Sequence, residues 1–80
     1  MTRTPMTPIA IGQIIRRARK AQGLRQDELA GVAQVGLRFI VELEAGKPTI
    51  QLGKTLKVLD VLGCDVTVAP PAGLDPGDRP

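Results

Sequence analysis

The chain has 80 residues, a length that allows one domain. Its formal net charge is +3, and its isoelectric point is about 9.6. It contains no histidine and no pair of carboxylates at a catalytic spacing, so we expect neither an enzyme nor a metal or cofactor site. The single cysteine excludes an internal disulfide and is typical of the reducing cytoplasm. No apolar run reaches the ~20 residues that a membrane-spanning helix needs.

Residues 1–8 and 70–80 are rich in proline, threonine, glycine and charged side chains. We expect both segments to be disordered tails, because they bury too little apolar surface to offset their conformational entropy. The remaining domain, residues 9–69, is small enough to be marginally stable on its own. Because no disulfide or metal site is available to stabilise it, we expect it to associate with a second subunit.

The first predicted helix runs from Ile9 to Gln22, with Thr7 as its cap and Pro8 at its first position. Its apolar residues form one stripe, and its opposite face is basic. A basic cluster extends from this face toward the next helix: Arg16, Arg17, Arg19, Lys20 and Arg25. Such a cluster indicates either contact with DNA phosphates or an ordinary solvated surface.

Two short helices follow, predicted for Gln26–Ala33 and Leu37–Ala45, with a three-residue turn between them. A fourth helix is predicted for Ile50–Leu62, with Thr49 as its cap. Two short helices joined by a tight turn, with a helix on each side, are typical of a helix-turn-helix domain. The fold class is therefore expected to be all-α.

The fourth helix carries two apolar stripes, one formed by leucines and the other by Ile50, Val58 and Val61. A small domain rarely needs two core faces on one helix, so we expect the second stripe to contact another chain. Residues 64–68 then alternate like a β-strand that has no partner in the chain. This strand either pairs with its copy in a homodimer or is a frayed tail. The predicted dimer-interface residues are Val58, Val61, Val66, Thr67 and Val68.

The segment from Leu24 to Lys47 reads LRQDELAGVAQVGLRFIVELEAGK. It resembles the lambda-repressor and Cro-like (XRE-type) helix-turn-helix family. The matching positions are Leu24, Gln26, Leu29, Ala30, Val35, Ile40, Leu43, Glu44 and Gly46. Three positions depart from the family pattern: Arg25 and Gly36 replace the usual Ser or Thr caps, and Gln34 replaces a glycine, which predicts a positive φ at Gln34.

The resemblance implies that the third helix enters the major groove of double-stranded DNA. The candidate base-reading residues are Gln26, Leu37, Arg38, Val41 and Glu42. Arg38 is the principal candidate, because its guanidinium can bind a guanine edge through two hydrogen bonds. Val41 could contact a thymine methyl group or be a stray exposed apolar residue.

The candidate phosphate contacts are Arg19, Lys20, Arg25 and Lys47. For Arg19 the family suggests an alternative, in which it pairs with Glu44 and ties the first helix to the third. Sequence reasoning leaves both roles open.

From about Ile9 to Ala69 the chain also looks like the HipB-like antitoxins, which are dimeric repressors with four helices and a C-terminal strand. This resemblance implies a homodimer on a palindromic operator, repression of its own operon and a HipA-like serine/threonine kinase toxin as partner. Two alternatives stay open. The chain could be a stand-alone or phage-type regulator without a toxin, or a protein-interaction module that does not bind DNA.

Overall fold

The computed structural model describes residues 6–73, and within this range it contains four helices and no strand. The helices are α1 (Pro8–Ala21), α2 (Gln26–Ala33), α3 (Leu37–Glu44) and α4 (Leu52–Val61). None of these helices is long and apolar enough to cross a lipid bilayer. The predicted all-α helix-turn-helix architecture is confirmed.

The start of α1 agrees with its predicted cap. The hydroxyl of Thr7 accepts a hydrogen bond from the amide of Ala10 at 3.1 Å, and Pro8 occupies a position where no amide hydrogen is required. Thr7 and Pro8 therefore belong to the folded domain and not to the predicted N-terminal tail. Residues 1–5 and 74–80, which make up most of the two predicted tails, lie outside the described residues.

Contacts within the helix-turn-helix segment compensate for its unusual cap and turn residues. At the start of α2, the carboxylate of Glu28 accepts a hydrogen bond of 2.8 Å from the amide of Arg25, and this contact compensates for the missing Ser or Thr. Gln34 ends α2 in the left-handed region with a φ of 58°, as predicted from the replaced glycine. A residue with a Cβ pays of order 1 kcal/mol for this conformation.

The N-terminus of α4 differs from its prediction. Gln51, not Thr49, is the residue that caps the helix, and the first helical residue is Leu52. The carbonyl of Gln51 accepts hydrogen bonds from both the amide and the hydroxyl of Thr55, at 3.1 and 2.8 Å. The hydroxyl of Thr55 is thereby satisfied inside the protein, so this polar residue can lie in the core.

The prediction that Val58 lies at the dimer interface is wrong, because its side chain is completely buried in the core of its own chain. The face of α4 that packs on the domain is formed by Thr55, Val58, Leu59 and Leu62, at the i, i+3, i+4, i+7 spacing. Val61 is half-buried beside this core. The apolar residues of α4 that face solvent are instead Leu52, 67% exposed, and Leu56, 43% exposed.

The core joins all four helices and holds α2 and α3 at a fixed relative position. Its buried apolar residues are Ile15, Leu29, Ala30, Ala33, Ile40, Leu43, Val58, Leu59 and Leu62. The backbone of α1 passes very close to the C-terminal end of α3. A Cβ added to Gly12 would lie only 2.5 Å from the carbonyl oxygen of Leu43.

Residues 64–71, which include the predicted strand, have no regular secondary structure in the single chain. Val66 and Val68 are exposed, at 53% and 91%. Because a strand requires a neighbour for its backbone hydrogen bonds, the predicted pairing between two chains stays a prediction.

Candidate nucleic-acid interface

The outer face of α3 projects from the domain on a rigid base. Ile40 and Leu43 anchor the helix in the core, while the side chain of Arg38 is 90% exposed. Leu37 and Val41 lie on the same exposed side and are about half exposed. Three of the candidate base-reading residues therefore lie on the exposed side of α3, where one exposed guanidinium stands beside two apolar side chains.

Glu42 lies close to two of the predicted DNA contacts. Its Oε2 atom accepts a hydrogen bond of 3.0 Å from Nζ of Lys47, and Nε of Arg38 lies 3.9 Å from the same oxygen. Lys47, which directly follows the helix-turn-helix, is thus brought next to the exposed face of α3. The carboxylate reduces the net positive charge of this surface, and its hydrogen bond orients Lys47.

The N-terminus of α2 carries Arg25 in an exposed position. Its Nε atom donates a hydrogen bond of 3.0 Å to Oδ1 of Asp27, and Nη1 lies 3.8 Å from a carboxylate oxygen of Glu28. The hydrogen bond from Arg25 lowers the pKa of the Asp27 carboxyl below its usual range, and it raises the pKa of Arg25. The guanidinium is anchored at the helix end, where a phosphate could replace one of these carboxylates.

Arg19 pairs with Glu44, which is one of the two roles that the sequence left open; the other was contact with a DNA phosphate. Its Nε and Nη2 atoms donate to the two carboxylate oxygens of Glu44 at 2.6 and 3.0 Å, while Nη1 donates to the carbonyl of Leu24 at 2.8 Å. The hydrogen bond to Glu44 is the main reason that the pKa of Arg19 is raised, against the opposing effect of burial. Both side chains are more than 90% buried, so Arg19 is not positioned as a phosphate contact.

Gln26 joins the same cluster, which the sequence did not predict. Its Nε2 atom donates to Oε1 of Glu44 at 3.3 Å, so one carboxylate connects α1, the start of α2 and the end of α3. This contact orients Gln26 beside α3 and leaves its side chain half-buried. The family pattern contains both residues but gives no indication that they contact each other.

Lys20 lies apart from these residues. It is exposed on the outer face of α1, next to Arg16 and Arg17, and no described hydrogen bond or ion pair connects it to α2 or α3. The basic cluster of the sequence therefore divides into an outer surface on α1, a buried structural residue and the exposed Arg25.

A second surface is formed by α1, α4 and the C-terminal segment, which border an apolar groove of about 510 Å³. Its apolar lining includes Met6, Ile11, Ile14, Leu52, Leu56, Leu59, Val66 and Val68. Ile14, an apolar residue of α1, is 42% exposed at this groove. Such a contiguous apolar surface is typical of a protein–protein contact.

The arrangement defines a DNA-binding helix-turn-helix protein, with an anchored α2, an exposed α3 and basic side chains beside it. A helix-turn-helix family model matches residues 15–68. An HTH-type transcriptional regulator of Sinorhizobium fredii, y4mF, whose function is uncharacterised, is 58% identical over 79 residues, covering 99% of this chain and 97% of the relative. The chain belongs to the XRE-type helix-turn-helix family of transcriptional regulators, a family of DNA-binding proteins and not of enzymes.

Solved structures with the same fold include chains of a HipB–O4 20mer complex and of a HipA–HipB–O2–O3 complex, each with a TM-score of 0.74 and 20% sequence identity. Both matches cover 88% of this chain and 99% of the solved chain. A structure described as MDT protein matches with a TM-score of 0.72 and 21% identity. At this level of identity the similarity shows the fold alone.

Proposed function

We propose that this regulator is a sequence-specific repressor that binds a palindromic operator as a homodimer in the cytoplasm. The observation that carries the proposal is the outer face of α3, where Arg38 is 90% exposed while the helix beneath it is anchored in the core. In this proposal Arg38 binds a guanine edge, Val41 and Leu37 contact thymine methyl groups, and Gln26 and Glu42 complete the reading surface. Arg25 and Lys47 contact phosphates, whereas Lys20 and its exposed neighbours on the outer face of α1 are not part of the proposed DNA contact.

The apolar groove supports the homodimer. Exposed Leu52, Leu56 and Ile14 replace Val58 as the centre of the proposed interface, and Val61 is at most peripheral because it packs beside the core. Val66, Thr67 and Val68 border the same groove. They keep their proposed role in a two-stranded ribbon that closes over the groove of the partner.

A mobility-shift titration with duplexes from the region upstream of its own gene tests operator binding. Arg38→Ala is expected to weaken specific binding by ~1–3 kcal/mol and to relax the preference at one base pair of each half-site. The matched control is Arg17→Ala, which removes the same charge from the exposed outer side of α1 and is expected to leave the base preference unchanged.

Binding without sequence preference, or no decrease of affinity with salt, would contradict the proposal, because phosphate contacts release counterions. Equal weakening of Arg38→Ala on every duplex would instead identify Arg38 as a phosphate contact. Absence of binding to any duplex would favour the alternative of a protein-interaction module.

We further propose that the regulator is the antitoxin of a HipA-like serine/threonine kinase and represses the operon that encodes both. The support is its similarity in fold to a chain of a HipA–HipB complex, over nearly the whole length of that chain. The alternative is a stand-alone or phage-type regulator without a toxin partner.

Co-expression with a kinase-like protein encoded next to its gene tests the partner. A stable complex on size-exclusion chromatography, together with rescue of growth by the regulator, is the expected result. A neighbouring kinase that neither copurifies with the regulator nor is neutralised by it would favour the stand-alone regulator.

A further inference from the structure

We propose that Lys54 of α4 binds a DNA phosphate on the side of α3 opposite to Arg25, and that Phe39 positions it there. This inference rests on the proposed operator binding and adds a phosphate contact that the helix-turn-helix sequence does not contain.

The first observation is a contact between α4 and the flank of α3. Nζ of Lys54 lies 5.7 Å from the centroid of the Phe39 ring, within the range of a cation–π interaction. Phe39 directly follows Arg38, so the ring is turned about 100° around α3 from the exposed guanidinium. It is half-buried against the core and provides a fixed support for the ammonium group.

The second observation fixes the orientation of α4. Lys57 lies one turn after Lys54 on the same face, and its Nζ donates to Oε1 of Gln34 at 3.4 Å. Gln34 belongs to the turn that precedes α3. Two independent contacts therefore place this basic face of α4 along the turn and the first residues of α3, the end that enters the major groove in proteins of this architecture.

The third observation is that Lys54 differs from Arg25, Lys47 and Arg38, the cations already proposed to contact DNA. Arg25 and Lys47 each form an ion pair with a carboxylate, and Arg38 lies within 4 Å of one. Lys54 is exposed and takes part in none of the ion pairs found among residues 6–73. Its ammonium can bind a phosphate without first losing a carboxylate.

Taken together, α3 has a cation on each flank. Gln26 and Glu44 mark the flank that faces α2 and Arg25, whereas Phe39 marks the flank that faces Lys54. A helix in the major groove has a phosphate backbone on both sides. Arg25 and Lys54 are thus placed to contact the two opposite strands, and together they would fix the position of α3 across the groove.

The salt dependence of operator binding tests Lys54 directly. Each phosphate contact contributes about 0.9 to the slope of log K against log salt. Lys54→Gln is therefore expected to reduce the slope by about 0.9 per half-site, or about 1.8 for a dimer on a complete operator, without changing the base preference. Arg17→Gln, a matched loss of one exposed charge, is expected to leave the slope nearly unchanged.

The positioning role of Phe39 is tested in a double-mutant cycle. Phe39→Leu keeps an apolar side chain in the core but removes the ring, so we expect it to weaken operator binding several-fold. In the Lys54→Gln background the same substitution is expected to have no further effect on affinity. Thermal unfolding of each variant shows whether it is folded at the temperature of the binding assay.

An unchanged slope for Lys54→Gln, in a protein that still binds its operator with sequence preference, would overturn this inference and leave the proposed function intact. Equal slope changes for Lys54→Gln and Arg17→Gln would overturn it as well, since they would show an effect of net charge alone. Additive effects of Phe39→Leu and Lys54→Gln would remove the positioning role. Failure of the unmodified protein to bind any operator would contradict the proposed function itself.

Discussion

Gly12 controls how closely α1 can approach α3. A Cβ at this position would lie 2.5 Å from the carbonyl oxygen of Leu43 and 2.8 Å from that of Glu44, and neither backbone atom can move away without shifting α3. In the sequence Gly12 looks like an ordinary weak position in a helix. The close approach depends on a neighbour 31 residues away in the chain, so helical periodicity alone could not predict it.

Gly12→Ala is expected to destabilise the protein by ~1–3 kcal/mol, because it overpacks a backbone contact. The matched control is Gly31→Ala on the exposed side of α2, where an added Cβ would have nothing within 4 Å. That substitution is expected to stabilise by ~0.5–1 kcal/mol, since alanine favours the helix more than glycine does. Urea unfolding measures both; a Gly12→Ala variant as stable as the unmodified protein would contradict the close approach.

The Arg19–Glu44 pair is the opposite case at the residue scale, because the family pattern alone indicates it. The pattern could not say whether Arg19 would remain exposed for a phosphate, since burial depends on how α1 packs against α3. The geometry of two hydrogen bonds to Glu44 and one to the carbonyl of Leu24 settles the structural role.

At the level of elements, the sequence predicted all four helices, and its cap and glycine signals located most of their ends within one residue. It failed on α4. Thr55 looks polar, so it was left out of the apolar pattern, although the carbonyl of Gln51 satisfies its hydroxyl inside the core. Once Thr55 is included, the buried face turns toward Val58, and Leu52 and Leu56 become the exposed apolar pair.

The exposed leucines of α4 lead to a prediction about dimerisation. Leu56→Glu places a charge in the proposed dimer interface, and by symmetry it does so twice. Loss of two buried leucines is expected to weaken the dimer by about 3 kcal/mol, or roughly a hundredfold in the dissociation constant. Sedimentation equilibrium measures the effect.

Val32→Glu is the matched control for Leu56→Glu, because Val32 is also exposed but lies on α2, away from the groove. It is expected to leave the association unchanged. A protein that is monomeric at all concentrations before any substitution would contradict the proposed interface, and so would equal weakening by the two variants.

At the scale of the whole molecule, the proposed DNA and dimer surfaces use different sides of α4. The helix α4 presents Lys54 toward α3 and Leu56 toward the groove, while its buried face closes the core. Local sequence patterns predicted α3 and its exposed face well, because the residues of α3 are contiguous in the chain. They predicted the groove poorly, because it is assembled from α1, α4 and the C-terminal segment.

The exposed groove also has a consequence for how long the protein persists in a cell. If a second copy covers this surface, dimerisation adds to the stability of each folded chain, and the fraction unfolded increases as the protein is diluted. Proteases act on that unfolded fraction. The lifetime of the regulator would then shorten as its concentration falls, so that synthesis and removal together would define a threshold below which the operator is quickly vacated.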